Sequence, residues 1–254
     1  MDKITNATIL IPVCKREEYL QQHLNLLTKQ EEIINCEILV INDGIPDYTE
    51  EICKNFSNIL NIRYLFTGQR NSSENIIRRN PSYCLNIGVQ QTKSDILILT
   101  CPEMYLLERD IIKLMLQAVN TNHKHIAITE GKYDNGLFLK HLNKFGNITK
   151  EIFNSVTCLE LCTIYPFYLA LSRRIFMEIG GYDEEFTGVA WDDTDFSRRL
   201  QQYGCEFKKL DRRVIHLKHK KFNYDRKDWL YNKKLYDDRN NIVVRNLNTK
   251  WGIL

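Results

Sequence analysis

Hydrophobic residues in this chain come in short unbroken runs, separated by stretches where they recur every three or four positions. Ala7 to Val13 is a continuous, β-branched apolar run, the pattern of a strand buried on both faces. Glu17 to Gln30 then sets Leu20, His23, Leu24 and Leu27 at helical spacing, and Cys36 to Ile41 is a second buried-type run ending in Asn42-Asp43-Gly44. A helix at Tyr48 to Phe56, a strand at Ile62 to Phe66, a helix at Pro81 to Gln91 and a strand at Asp95 to Thr100 continue the alternation. Repeated strand–helix–strand units predict an α/β fold, with an open, mostly parallel central sheet flanked by helices on both faces.

Past Leu107 the regularity weakens. A helix is expected at Asp110 to Asn120, a strand at Ile126 to Thr129, and a loop-rich stretch through Thr149. Phe167 to Ser172 then reads as a strand, Arg173 to Ile179 as a helix and Asp192 to Tyr203 as an amphipathic helix. No linker rich in Pro, Gly or Ser interrupts the chain, so residues 1–254 are read as one domain, with halves at 1–107 and 108–254.

Composition narrows the classes. The 254 residues are 43% hydrophobic and 26% charged, the balance of a globular protein, and no apolar run approaches the length that crosses a bilayer. A net charge of +3 is too small for a protein that wraps nucleic acid, so no nucleic-acid partner is expected. Eight cysteines lie scattered through apolar stretches and the N-terminus lacks a signal-peptide plan, which points to a reducing cytoplasm. Cys158 and Cys162 are read as buried thiols rather than a zinc site.

In open α/β sheets ligands sit beyond the carboxyl ends of the strands. That rule singles out Pro12 to Arg16, Asn42 to Asp47 and Cys101 to Tyr105. The chain contains no GxGxxG and no GxxxxGK[ST], which argues against a Rossmann dehydrogenase and a P-loop enzyme. The most informative stretch is Gly180-Gly181-Tyr182-Asp183-Glu184-Glu185-Phe186, followed through Gly188 by Trp191-Asp192-Asp193-Thr194-Asp195-Phe196. Carboxylates favour the positive end of a helix, but capping needs one and three are present. Neighbouring carboxylates raise one another's pKa toward a useful basicity, and Trp191 offers an apolar face suited to a sugar ring.

With Ile11-Pro12-Val13 and Arg16, Val40 to Gly44, and Asn86-Ile87-Gly88 in the same order, this block resembles the inverting nucleotide-sugar glycosyltransferases of family 2, across about the whole chain. Its last segment is similar to the acceptor side of galactosyl- and N-acetylgalactosaminyl-transferases, chondroitin-polymerase-like enzymes included. The resemblance implies a GT-A (nucleotide-diphospho-sugar transferase) fold, a nucleoside diphosphate sugar donor, a UDP-sugar, and a glycan or lipid-linked glycan acceptor. Carried over residue by residue, Pro12, Val13 and Arg16 line the nucleotide pocket and Asp43 accepts a hydrogen bond from the base, although a strand-ending turn aspartate is the plainer reading. Asp192 and Asp193 match the acidic pair, with Asp193 as general base and Asp192 and Trp191 orienting the acceptor. Arg78 and Arg79 are candidates for the diphosphate, or for a surface role.

The family's Asp-x-Asp, which binds metal and diphosphate, is absent after the strand Ile96 to Leu99; the chain reads Thr100-Cys101-Pro102-Glu103. Two readings stay open there: Glu103 as a single carboxylate ligand for Mn2+ or Mg2+, or a simple turn. His216, after the late apolar pair Val214-Ile215, is the second candidate ligand by resemblance, with His219 the alternate and a structural imidazole the plain reading. From Lys208 to Lys234 eleven basic residues face three acidic ones, a local surplus of +8. A solvated surface, a mobile segment closing over the diphosphate, or peripheral contact with an anionic membrane at the inner face of the cell would each use it. Rival functions are a catalytically impaired sugar- or nucleotide-binding relative and, with its phosphate loop missing, a nucleotidyltransferase.

Overall fold

The computed structural model describes residues 7–68, 80–162, 164–220 and 226–254. Arg78 and Arg79 lie outside the described residues.

Strand β1 (Ala7–Val13) is buried along both faces, with Ala7, Ile9, Ile11 and Val13 packing to one side of the sheet and Leu10 to the other. It pairs in parallel with β2 (Cys36–Asn42) and β4 (Ile96–Leu99), and β2 with β3 (Ile62–Phe66). Helices α1 (Glu17–Leu27), α2 (Thr49–Phe56) and α3 (Pro81–Gln90) make the crossovers. α1 stops three residues before the expected Gln30, where Thr28 caps it and Gln30 turns in to the carbonyl of Glu108 at 2.7 Å. Its His23 is fully buried, and burial pushes the imidazole down to about 3, so it is a neutral core group. Gly88 on α3 lets that helix lie on the sheet: a Cβ there would stand 2.5 Å from Ile41 and 2.7 Å from Leu10.

Beyond β4 the sheet stops being parallel. The strand order is β3-β2-β1-β4-β7-β6-β8-β5, where β5 is Met104–Leu106, β6 His125–Tyr133, β7 Leu169–Ser172 and β8 Glu206–His216. β7 runs antiparallel to both β4 and β6, and β8 runs antiparallel to β5 and parallel to β6. The expectation of a mostly parallel sheet therefore holds strictly for the first half, and the second half is mixed. α4 (Ile111–Thr121) covers the core face shared by β1 and β4.

The stretch expected to be loop-rich contains α5 (Leu137–Phe145) and ends on Thr149, the N-cap of α6 (Lys150–Ser155). Strand β8 evades periodicity because its first eight residues are half-exposed or exposed and all but Phe207 and Leu210 are charged, held instead by ion pairs such as Arg212 with Asp110 at 2.6 Å and Arg213 with Glu108 at 2.7 Å. α7 (Arg173–Glu178) and α8 (Asp192–Gln202) pack on the opposite face from α4. A further helix, α9 (Arg226–Asp238), forms in the basic stretch, where a mobile segment was one expectation; Arg213 to His216 is strand and residues 226–234 are helix. All eight cysteines are free, and Cys162 is exposed and Cys158 half-buried, which corrects the reading of that pair as buried. Among the described residues no helix is long and apolar enough to cross a membrane.

Candidate active site

Two cavities open at the carboxyl ends of β1, β2 and β4. The first, about 190 Å³, is lined by Pro12, Val13, Arg16, Asp43, Cys101 and Glu103. The second, about 290 Å³, brings Glu103, His216, Asp192 and Asp193 to one space. Pro12, Pro81, Cys101 and Glu103 border both, so the two form one continuous cleft.

In the first cavity Asp43 follows β2 and is 2% exposed; one of its oxygens accepts a hydrogen bond from the hydroxyl of Thr67. Asn42 holds the turn, its Oδ1 accepting from the Gly44 amide at 2.9 Å while Nδ2 donates to Asp47 at 3.0 Å. Arg16, expected against a nucleotide, donates from Nε to Glu103 Oε1 at 2.7 Å and lies 3.1 Å from Nδ1 of His219.

The acidic pair sits on a strained corner. Ala190 and Trp191 both adopt left-handed backbone, with φ of 77° and 76°, a conformation that costs about 1–2 kcal/mol per residue without glycine. The surroundings enforce it. Asn232 of α9, fully buried, donates to the carbonyls of Thr187 at 2.6 Å and Ala190 at 3.0 Å and accepts from the Thr187 amide at 3.1 Å. Trp191 packs its ring against Trp229 at 5.3 Å and Tyr236 at 5.1 Å. Trp191 is half-exposed and is not among the residues lining the second cavity; the aromatic ring on that wall is Phe167.

Burial raises the Asp192 carboxyl above its usual range, and the polar groups of Asn80 and Ser82 at the start of α3 pull it partly back. Asp193 is raised further, first by desolvation and then by the charge of Asp192. No described lysine or arginine bridges to either. The two carboxyls titrate as one coupled pair, both held above the ordinary carboxylate range by burial and by each other's charge. Tyr182 stacks on Phe196 beneath the pair at 4.1 Å, and Asn86 secures that turn by donating to the Tyr182 carbonyl at 2.9 Å.

Glu103 and His216 meet through the sheet. β5 pairs with β8 so that Met104 faces His216, and the Leu217 amide donates to the Glu103 carbonyl at 2.9 Å. The His216 ring is flanked by Phe167 at 5.0 Å and Tyr133 at 5.6 Å. Cys101 joins them, and one ligand atom from each of Cys101, Glu103 and His216 lies within 4.8 Å of the others. Metal–ligand bonds of about 2.0–2.3 Å on either side span at most about 4.6 Å, so this donor set fits one divalent ion after a small adjustment. The sequence reading missed Cys101, Asn80, Ser82 and Asn232. The Cys-x-Glu spacing was the one available signal for Cys101, since alternate residues of extended backbone point the same way.

Residues 8–180 match glycosyl transferase family 2, and residues 164–220 match the N-terminal domain of galactosyltransferase. Chondroitin synthase of Escherichia coli is 26% identical over 242 residues, covering 82% of this chain, which spans 34% of that relative's length. Among solved structures, Staphylococcus aureus TarS 1–349 in complex with UDP-GlcNAc superposes with a TM-score of 0.65 at 16% identity, covering 91% of this chain and 65% of that one. GalNAc-T7 with UDP, GalNAc and Mn2+ gives a TM-score of 0.64 at 12% identity, covering 94% and 50%. With the family match running through more than half of the residues and the fold shared with both structures, this chain belongs to glycosyl transferase family 2 and has the GT-A fold.

Proposed function

We propose that the chain is an inverting glycosyltransferase that moves a sugar from a nucleoside diphosphate, UDP, to a hydroxyl of a glycan or lipid-linked glycan. The observation that carries the reading is the continuous cleft, with Asp43 at one end and the Asp192–Asp193 pair at the other. The TarS and GalNAc-T7 structures hold UDP-GlcNAc and UDP, which supports a uridine donor.

In this reading Pro12 and Val13 wall the base and Asp43 accepts from the imide N–H of uracil. Asp193, made basic by burial and by its neighbour, takes the proton of the acceptor hydroxyl as that oxygen attacks the anomeric carbon from the face opposite the diphosphate. The carbon–oxygen bond to phosphate breaks, the electron pair leaves with the diphosphate, and the anomeric configuration inverts. Asp192 and Phe167 orient the acceptor, while Trp191 acts from behind as a positioning residue. A divalent ion on Glu103 and His216, Mn2+ or Mg2+ by family expectation, would supply charge neutralisation at the leaving diphosphate. Arg16 stands beside Glu103 as a further positive group at that end of the cleft.

The test is a panel of UDP-sugars with glycan oligomers, the product read by mass and by the NMR coupling of the new anomeric proton. A product of inverted configuration from wild type but not from Asp193→Asn supports the reading. A product of retained configuration, or donor binding with no transfer to any acceptor, goes against it.

A further inference from the structure

We propose that Cys101 is a metal ligand: its thiolate, the Glu103 carboxylate and the His216 imidazole form a three-donor site that selects a borderline divalent cation such as Zn2+ or Co2+ over hard Mg2+. The inference rests on the reading of Glu103 and His216 as metal ligands and revises which ion they hold; it does not depend on the transfer reaction.

Three observations converge on it. The ligand atoms of Cys101, Glu103 and His216 all lie within 4.8 Å of one another, close enough to share one ion. The backbone that carries them is fixed rather than loose. Cys101 and Glu103 flank Pro102 directly after β4, and His216 is locked opposite Met104 by the β5–β8 ladder and by the Leu217–Glu103 hydrogen bond. Finally, the groups around the donors orient them: Arg16 holds Glu103 through Oε1 at 2.7 Å, and Phe167 and Tyr133 flank the His216 ring.

The chemistry of the set then decides the ion. Mg2+ prefers oxygen donors in near-octahedral array and gives up its waters reluctantly, whereas thiolate and imidazole favour Zn2+ and Co2+. A carboxylate pair at these positions would suit the hard ions; replacing one carboxylate by sulfur shifts the preference further toward Zn2+ and Co2+. On binding, the Cys101 S–H bond breaks, its proton passes to the buffer, and the sulfur lone pair forms the bond to the cation.

The experiment titrates Co2+ into the intact protein, with and without UDP, and reads absorption. A sulfur-to-cobalt charge-transfer band in the near ultraviolet is expected alongside visible d–d bands, and competition with a chromogenic chelator should place Zn2+ at least about a hundredfold tighter than Mg2+. In Cys101→Ser the charge-transfer band disappears and Zn2+ affinity falls at least about tenfold, with far-ultraviolet circular dichroism unchanged. Cys101→Asp guards against a misfolded variant: it loses the band yet binds Mn2+ and Mg2+ as well as wild type or better. Visible cobalt bands without a charge-transfer band in wild type would overturn the thiolate and leave Glu103 and His216 as ligands. An undiminished band in Cys101→Ser would assign the sulfur to another cysteine and overturn it equally. No uptake of Co2+ or Zn2+ would overturn both metal readings, while the role of Asp193 would still stand or fall on the transfer assay.

Discussion

Helix α8 carries three carboxylates, Asp192 and Asp195 buried and Asp193 half-buried, that differ in how their charge is met. Asp195 is 1% exposed and caged: its Oδ1 accepts from Arg198 and Arg245, both at 2.9 Å, and its Oδ2 from Arg199 at 2.6 Å. Asp183 belongs to the same cage, taking Arg239 at 2.5 Å and Arg245 at 2.9 Å. Asp192 and Asp193, three and two residues earlier in the helix, have no such counter-charge among the described residues, and their carboxyls are raised. A buried charge with its partners in place holds structure together; a carboxyl without them is costly to ionise, and its proton is held more tightly. The cage ties α8 to the segment around Arg239 and Arg245, and so fixes the platform from which the uncompensated pair faces the cleft.

The contrast is most severely tested at Asp195. Asp195→Ala leaves three arginines without their shared acceptor and should destabilise the fold by about 3–5 kcal/mol, measured as a lowered denaturant midpoint. If the midpoint barely moves, the cage is ornamental and the comparison fails. Asp193→Asn is expected to behave in the opposite way, with transfer reduced at least about a hundredfold while UDP binding and folding survive.

Asn232→Ala probes the clamp between the two regions. It leaves the Thr187 amide and the Ala190 carbonyl without their partner, so stability should fall by about 1–3 kcal/mol. Turnover should fall as the strained Ala190–Trp191 corner relaxes, with the KM for donor unchanged. Asp43→Ala, distant from α8, should weaken UDP binding by about 1–3 kcal/mol in calorimetry without affecting binding of phosphate-only ligands.

The smallest effect is a pH dependence. Because Asp193 binds its proton more tightly folded than unfolded, the folded state holds more protons above the ordinary carboxylate value of 3.8, and stability declines as pH rises through the raised value. Wild type should therefore lose stability relative to Asp193→Asn as pH is raised from the ordinary value of 3.8 up to the raised one, and level off above it. A difference that stays flat across the range would mean that Asp193 titrates normally.

Much of this was legible in the sequence, for reasons that vary by region. The unbroken apolar runs of β1, β2 and β4 announce strands buried on both faces, because nothing but a doubly covered sheet accommodates them, and the strand–helix alternation then dictates parallel pairing. Asp192 and Asp193 stood out because helix capping does not use three acids. Yet the third, Asp195, looks identical in sequence to its neighbours; that it belongs to an arginine cage depends on Arg245, fifty residues away along the chain.

By itself, then, the sequence determined the parallel half of the sheet, the loops at its carboxyl ends and the acidic block, since each is a local pattern with a local cause. Tertiary structure alone decided the rest. The antiparallel second half is set by long-range pairing, and β8 is charged enough to hide its periodicity. Trp191 packs against Trp229 and Tyr236 because α9 returns beside it, and Cys101 joined Glu103 and His216 because a strand more than a hundred residues later returns beside β5. Which carboxylates meet a positive partner and which do not depends on where distant arginines come to rest. Charge compensation acts through space within a few ångströms, and the order of residues along a chain does not record that distance.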